Sequence, residues 1–196
     1  LLESFLNTHP QADSARIRYA RLLLADQQRA AAVRQFELVL AHQSEHLEAL
    51  YTLSLLTAQT PPHTQARHYT QRYLDALARQ PQAGHDSASA YLHMARLAED
   101  ERRHDEALGW VRKVSTGPQA FAARLQEALI LARIRRVDEA RKLLTGLTPG
   151  NDEEQLQVTL TDAAVLREAG RHRDAYAVLS AALARARSAL TMGITY

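Results

Sequence analysis

The sequence predicts an all-α chain: an α-solenoid of about five antiparallel helix pairs after a partial N-terminal helix. Three observations lead to this prediction. There are 35 alanines against 7 glycines and 6 prolines, a composition that favours helix. Small residues recur at a nearly constant spacing along the chain. Polar breaks and prolines fall between the helical stretches and not inside them.

Five alanines, each just after a short polar break, mark the repeat. They are separated by 34, 41, 33 and 35 residues, a period near 34 with one insertion: Ala32, Ala66, Ala107, Ala140 and Ala175. Twelve residues before each of them stands a second small residue: Ala20, Ser54, Ala95, Ala128 and Ala163. Antiparallel helices approach closely only where the side chains between them are short. We therefore expect each of these alanines, together with the small residue twelve positions before it, to mark the place where the two helices of one pair cross.

This period divides the chain into repeats. Residues 1–12 are predicted to be the second helix of a preceding repeat, and residues 191–196 a tail or the start of a truncated helix. Five repeats lie between them, at residues 13–46, 47–84, 85–118, 119–152 and 153–190. A longer loop, expected to be exposed at residues 80–84, follows the second repeat. An isolated helix pair leaves an apolar face in water, so neighbouring pairs are expected to stack.

The small-residue pattern, with segments such as residues 103–107 (RHDEA) and 171–175 (RHRDA), resembles the tetratricopeptide repeat (TPR) family. The resemblance covers nearly the whole chain. It implies a right-handed solenoid that is not an enzyme and that holds a protein or peptide in a concave groove lined by the first helices. The function expected from it is that of an interaction scaffold or adaptor.

Three residues depart from the family pattern. Glu127 and Asp162 stand where a large apolar residue is usual, and Thr70 replaces an aromatic residue. We expect a shifted register or loose packing at these places, with Tyr69 and Tyr73 compensating for Thr70.

The stretch at residues 109–124 (GWVRKVSTGPQAFAAR) resembles the middle of proteobacterial outer-membrane TPR lipoproteins. That group includes adaptors that bind a carboxyl-terminal processing protease and present cell-wall hydrolases to it. The resemblance implies a periplasmic location, with anchoring to the outer membrane through a parent protein; a cytoplasmic location is the alternative. The 22 arginines against 2 lysines fit a GC-rich bacterial source.

Alignment with the family pattern places twelve residues in the predicted groove. They are Ile17, Arg21, Leu24, Tyr51, Leu55, Leu92, Arg96, Leu125, Leu129, Arg133, Leu160 and Arg167. An apolar surface with interspersed arginines suits an amphipathic helix or an extended peptide that carries carboxylates. The alternative is that Ile17, Leu55, Leu92 and Leu129 serve ordinary packing between repeats and that the arginines are only solvated.

The sequence predicts no catalytic, cofactor or metal site. It has no cysteine and no G-x-S-x-G, G-x-x-x-x-G-K or G-x-G-x-x-G motif. His42 and His46 are spaced i, i+4, but no H-E-x-x-H order surrounds them. His63, His68 and His85 are expected at turns, where solvated histidine is the commoner state.

The composition also bears on other functions. A formal net charge of +2 without a polybasic run argues against nucleic acid as a partner, and no apolar stretch is long enough to span a membrane. Two alternatives remain open. The chain could be the substrate-recruiting arm of an enzyme whose catalytic domain lies outside this sequence. It could also form homo-oligomers through apolar repeat ends at residues 5–6 or 183–190.

Overall fold

The computed structural model describes residues 2–59, 61–80 and 87–193, with side chains described as far as residue 188. These residues form helices and no β-strand, which confirms the predicted all-α class. The helices are α1 (Leu2–Thr8), α2 (Asp13–Ala25), α3 (Arg29–His42), α4 (Leu47–Leu56), α5 (Thr64–Arg79), α6 (Ala88–Asp100), α7 (His104–Val111), α8 (Ala120–Arg133), α9 (Val137–Thr145), α10 (Asp152–Glu168) and α11 (His172–Gly193).

Two of the predicted segments, the loop at residues 80–84 and the tail at residues 191–196, are described only in part by the structure. The expected loop at residues 80–84 lies outside the described residues except for Gln80, which caps the end of α5. At the other end of the chain, residues 191–193 continue α11 as helix. The remaining repeat boundaries stay predictions.

The chain forms two compact units, Leu1–Glu101 and Arg102–Tyr196. In the first unit, α2 pairs with α3 and α4 with α5, while α3 also packs on α4 and α5 on α6. In the second unit, α8 pairs with α9 and α10 with α11, and α10 packs on both α8 and α9. Each unit is thus an α-solenoid arrangement of helix pairs in which successive pairs share a core.

The small residues of the repeat are all buried. The five on the first helices (Ala20, Ser54, Ala95, Ala128 and Ala163) and the five on the second helices (Ala32, Ala66, Ala107, Ala140 and Ala175) are each at most 9% exposed. Larger side chains fill the surrounding space: Phe36, Leu50 and Leu53 in the first unit, and Ile130 and Leu166 in the second. The small residues that define the sequence period therefore occupy buried positions of the helices.

The turns inside three of the helix pairs, and the turn that follows α6, share one backbone conformation. The residue five positions before the second-helix alanine has a positive φ in each: 60° at Gln27, 58° at Arg102, 66° at Arg135 and 74° at Gly170. At three of these turns the next amide donates to the carbonyl five residues earlier, at 2.7–2.8 Å. This is the Schellman end of a helix, which turns the chain back so that the second helix can pack on the first.

Glu127 and Asp162 are held by arginines and are not loosely packed. Glu127 is buried, and its two carboxylate oxygens accept hydrogen bonds from Arg112 Nε at 2.7 Å and a terminal nitrogen of Arg124 at 2.6 Å. Asp162 accepts two hydrogen bonds from Arg141, at 2.8 and 3.2 Å. A charged pair therefore occupies the place of an apolar side chain at both positions, and each pair joins a first helix to the helix before it.

Thr70 is also accommodated without loose packing. Its side chain is fully buried, and the hydroxyl donates to the carbonyl of Ala66 at 2.7 Å, which satisfies the polar group inside the helix. The ring of Tyr73 is buried and lies 5.2 Å from that of Tyr51. The hydroxyl of Tyr69 donates to Glu37 on α3.

Candidate protein-binding surface

All twelve predicted groove residues lie on the first helices of the pairs, and they fall into two groups. The group in the first unit is on α2 (Ile17, Arg21, Leu24), α4 (Tyr51, Leu55) and α6 (Leu92, Arg96). The group in the second unit is on α8 (Leu125, Leu129, Arg133) and α10 (Leu160, Arg167).

Five of these residues stand three positions before the small residue of their helix: Ile17, Tyr51, Leu92, Leu125 and Leu160. Ile17 is buried in the core of the first unit, and Tyr51 packs against that core. Leu92 and Leu125 are partly buried, whereas Leu160 is 51% exposed. Ile17 therefore serves packing between helices and has almost no surface to offer a ligand.

A second row stands one position after the small residue. In the first unit this row is exposed and consists of Arg21, Leu55 and Arg96. In the second unit it consists of Leu129 and Ala164, which are partly buried. Side chains from this row of α2, α4 and α6 are therefore the accessible part of the predicted groove in the first unit.

The arginines of the predicted surface differ in their partners. The guanidinium of Arg21 donates to Glu48 through Nε at 2.8 Å and so links α2 to α4. A terminal nitrogen of Arg96 lies 3.3 Å from Nδ1 of His93. Arg133 and Arg167 are exposed at the ends of α8 and α10. Leu24, the remaining predicted residue, is partly buried against the core of the first unit.

An open cavity of about 870 Å³ lies beside Tyr51, where α3 is joined to α4. The residues that line it are His42, Gln43, Ser44, Glu45, His46, Leu47, Glu48, Tyr51, Thr52, Tyr73 and Gln80. Both of its carboxylates are already paired, Glu48 with Arg21 and Glu45 with Arg79. The cavity therefore offers tyrosine rings and neutral polar groups more than net charge. The sequence alone did not indicate it.

His42 and His46 do not form a helical i, i+4 pair, because α3 ends at His42 and α4 begins after His46. Nδ1 of His42 is 3.0 Å from the buried carboxylate of Asp13. Nδ1 of His46 accepts a hydrogen bond from the amide of Ala49 and caps α4. Each histidine therefore has a local structural role.

His63 corrects a sequence expectation. It was predicted to be solvated at a turn, but its side chain is 2% exposed. It caps the start of α5, where its amide donates to the Glu101 carboxylate at 2.9 Å, and Nε2 lies 3.5 Å from a carboxylate oxygen of Asp100. The turn residues that follow α4 thus pack inward on α6. His68 is exposed, and His85 lies outside the described residues.

His93 is a buried histidine that no sequence motif marks. It lies on α6, and burial together with the positive charge of Arg96 lowers its pKa to about 4. It is therefore neutral near pH 7 and can accept from the Arg96 guanidinium. The one sequence signal for its burial is its position two residues before Ala95. This signal is weak, because the residue two positions before the small residue is exposed or partly buried on the other first helices.

Within the described ranges, no three histidine, aspartate or glutamate side chains are grouped so that they could hold a metal ion. Among the same residues, no helix has the length and apolar character needed to cross a membrane.

No protein-family model and no curated protein matches the chain. Among solved structures it is similar to YrrB, described as a TPR protein with an unusual peptide-binding site: the identity is 16%, the match covers 91% of this chain and 89% of YrrB, and the TM-score is 0.66.

Two further structures are similar. A putative kinesin light chain from Podosopora anserina with nearly identical TPR-like repeats is 17% identical, over 93% of this chain and 97% of that one, with a TM-score of 0.64. MamA from AMB-1 is 18% identical, over 86% of this chain and 88% of that one, with a TM-score of 0.58. These likenesses show that the fold of the chain is that of TPR proteins.

Proposed function

We propose that this chain is a non-enzymatic interaction scaffold that binds a protein or peptide on the exposed faces of its first helices. The observation that carries the proposal is the exposed row of Arg21, Leu55 and Arg96. Ile17 and the small residues of the same helices are buried, and Tyr51 and Leu92 are partly buried, whereas this row is exposed on three helices of one unit.

The chemistry of this row favours a ligand with apolar side chains and carboxylates. Leu55 supplies apolar surface between two arginines, and a planar guanidinium can donate two parallel hydrogen bonds to a carboxylate. Arg21 is held in place by Glu48, so little side-chain entropy is lost when it is used. The cavity beside Tyr51 can accept an uncharged side chain of the same ligand. YrrB, which has this fold, is described as binding a peptide.

Affinity capture from the native source tests the proposal. The wild-type chain is compared with Leu55→Asp in the first unit and Leu129→Asp in the second. We expect Leu55→Asp to reduce capture of specific partners about tenfold or more, because a carboxylate then lies where the ligand buries apolar surface.

Leu38→Asp is the matched control, since Leu38 is as exposed as Leu55 (44% against 43%) but lies on a second helix, α3. It should leave capture unchanged. If Leu55→Asp and Leu129→Asp both capture the same partners as the wild type in equal amounts, the first helices are not the binding surface.

A narrower role is part of the same proposal: assembly of a periplasmic carboxyl-terminal processing protease with cell-wall hydrolases. Its support is the resemblance of residues 109–124 alone. Capture of such a protease in the experiment above, with loss in the Leu55→Asp variant, would support it. If the partners are instead substrates of a catalytic domain joined to these repeats, the alternative of a recruiting arm holds.

A further inference from the structure

An open cavity of about 590 Å³ lies in the second unit, at the end of α7 and along the pair α8–α9. Three cationic side chains line it: Arg112 just after α7, Arg124 on α8 and Lys142 on α9. It is formed between helices that are already packed together, α7 on α8 and α8 on α9, and the pair α10–α11 follows them. Since ligand sites usually have volumes of about 300–1,000 Å³, the cavity is large enough for several side chains of a ligand.

The carboxylates that line the cavity are already paired. The side chain of Glu127 is only 5% exposed, and its two oxygens accept from Arg112 at 2.7 Å and from Arg124 at 2.6 Å. Glu139 accepts two hydrogen bonds from Arg136, at 2.9 and 2.6 Å, and Arg136 is not part of the lining. Glu127 therefore compensates one of the three cationic charges, and two remain in excess.

The two guanidinium groups are held in place and still have donors to offer. Arg112 uses Nε and Arg124 one terminal nitrogen on Glu127, so each keeps most of its five N–H groups for another acceptor. The next helix pair differs, because Arg141 uses both Nε and a terminal nitrogen on Asp162. The carboxylate that Arg112 and Arg124 share thus orients both arginines without saturating either.

Apolar surface lies beside these charges. Leu143 on α9 and Leu147 just after it line the same cavity, and both are partly buried. Gly146 stands between them in the sequence and adds no side chain to the lining. The cavity therefore offers cations and leucines together, which suits an acidic ligand with an apolar group beside the acid better than a bare inorganic anion.

We propose that this cavity binds a segment of a partner protein in which two acidic side chains stand next to an apolar one. The two excess positive charges match two carboxylates. Because Arg112 and Arg124 share Glu127 whereas Lys142 lies on α9, two separate carboxylates reach these cations better than one compact anion. The predicted groove residues of α8 do not line the cavity, so the proposal does not depend on the proposed function.

A short peptide tests the proposal: an acetylated and amidated peptide in which a leucine stands between two glutamates. The matched control has glutamine in place of both glutamates, and a third peptide has phosphoserine in place of one glutamate and glutamine in place of the other. Each is titrated into the isotope-labelled full chain, and NMR shift changes give both the affinity and the place of binding.

We expect saturable shifts at the Nε–H groups of Arg112 and Arg124 and at the amides of residues 142–147. The glutamine peptide should bind at least about tenfold more weakly, because it offers no charged acceptor, and the phosphoserine peptide should bind no more tightly than the glutamate peptide. High salt should weaken binding of the glutamate peptide. Leu55→Asp in the first unit should leave these shifts unchanged.

The chain's two lysines provide a matched pair of variants. Lys142→Met should weaken binding of the glutamate peptide at least about fivefold, since it removes a cation from the lining. Lys113→Met is the control, because Lys113 is also exposed but lies 3.9 Å from the centre of the Trp110 ring and does not line the cavity. It should change the affinity less than about twofold. Circular dichroism checks that each variant is folded.

Four results would overturn the proposal. Equal binding of the glutamate and glutamine peptides would show that the carboxylates are not recognised. Equal losses in the two lysine variants would indicate general attraction to a basic surface. Tighter binding of the phosphoserine peptide would assign the cavity to a phosphorylated ligand. Shifts confined to α2, α4 and α6 would place the peptide on the Arg21–Leu55–Arg96 row, which would support the proposed function and exclude this cavity.

Discussion

The carboxylate of Glu127 is buried against Arg112, whose Nε donates to it at 2.7 Å, while the arginine itself remains 45% exposed. The pair is therefore asymmetric. Removal of the carboxylate leaves arginines that can turn to water, and removal of the arginines leaves a buried charge without compensation.

This asymmetry predicts unequal effects of substitution. Glu127→Leu should change the free energy of unfolding by no more than about 1 kcal/mol, because an apolar side chain fits a buried site. The double variant Arg112→Ala/Arg124→Ala should cost about 3 kcal/mol. Urea unfolding followed by circular dichroism measures both. A larger loss for Glu127→Leu than for the double variant would show that the carboxylate is needed for more than pairing.

The positive φ values in the turns predict gains from glycine. Gln27 and Arg135 adopt a left-handed conformation that costs a residue with a Cβ about 1 kcal/mol. Gln27→Gly and Arg135→Gly should therefore each raise stability by up to about 1 kcal/mol, less the greater freedom of glycine in the unfolded chain. Gly170→Ala should lower it by a similar amount.

Thermal unfolding of the three turn variants beside the wild type gives the comparison. Gly109→Ala is the control, since this glycine is helical, has a negative φ and open space around its Cβ position, and should gain stability. A loss of stability in both Gln27→Gly and Arg135→Gly would contradict the left-handed backbone conformation of these turns.

His93 predicts a pH dependence of stability. Its pKa is about 4 in the folded chain against 6.5 when unfolded, so the unfolded chain binds the proton more readily. Its contribution is complete above pH 6.5 and is lost as the pH falls toward 4. The loss amounts to at most about 3 kcal/mol, from a difference of roughly 2.5 pKa units at 1.36 kcal/mol each.

His93→Gln removes the titrating group and isolates this effect from the carboxylates. The difference in unfolding free energy between wild type and variant should shrink between pH 7 and pH 4, and NMR titration of the His93 ring should show a midpoint near 4. A constant difference across this range would contradict the assignment.

The small residues at the helix crossings predict intolerance of larger side chains. Ala128 is fully buried on α8, so Ala128→Leu should destabilise the second unit by about 1–3 kcal/mol. Ala184→Leu, at an exposed position of α11, should change stability by less than about 0.5 kcal/mol. If Ala128→Leu and Ala184→Leu change the free energy of urea unfolding equally, the helix crossing at Ala128 can accommodate a larger side chain.

The sequence by itself determined the repeat and the positions that pack within it. A small residue every 34 or so positions, with a partner twelve residues earlier, is enough to locate buried crossings such as Ala20 with Ala32, because close helix packing requires small residues whatever surrounds them.

Only the tertiary structure decided which side chains remain available. Ile17 and Leu160 hold the same position in their repeats, yet the first is buried and the second exposed, since burial depends on the neighbouring helix pair and not on the residue's own helix. For the same reason the sequence placed His63 in solvent and left Glu127 without a partner. Arg112 lies 15 residues before Glu127 and Glu101 lies 38 residues after His63, and no local pattern specifies either contact.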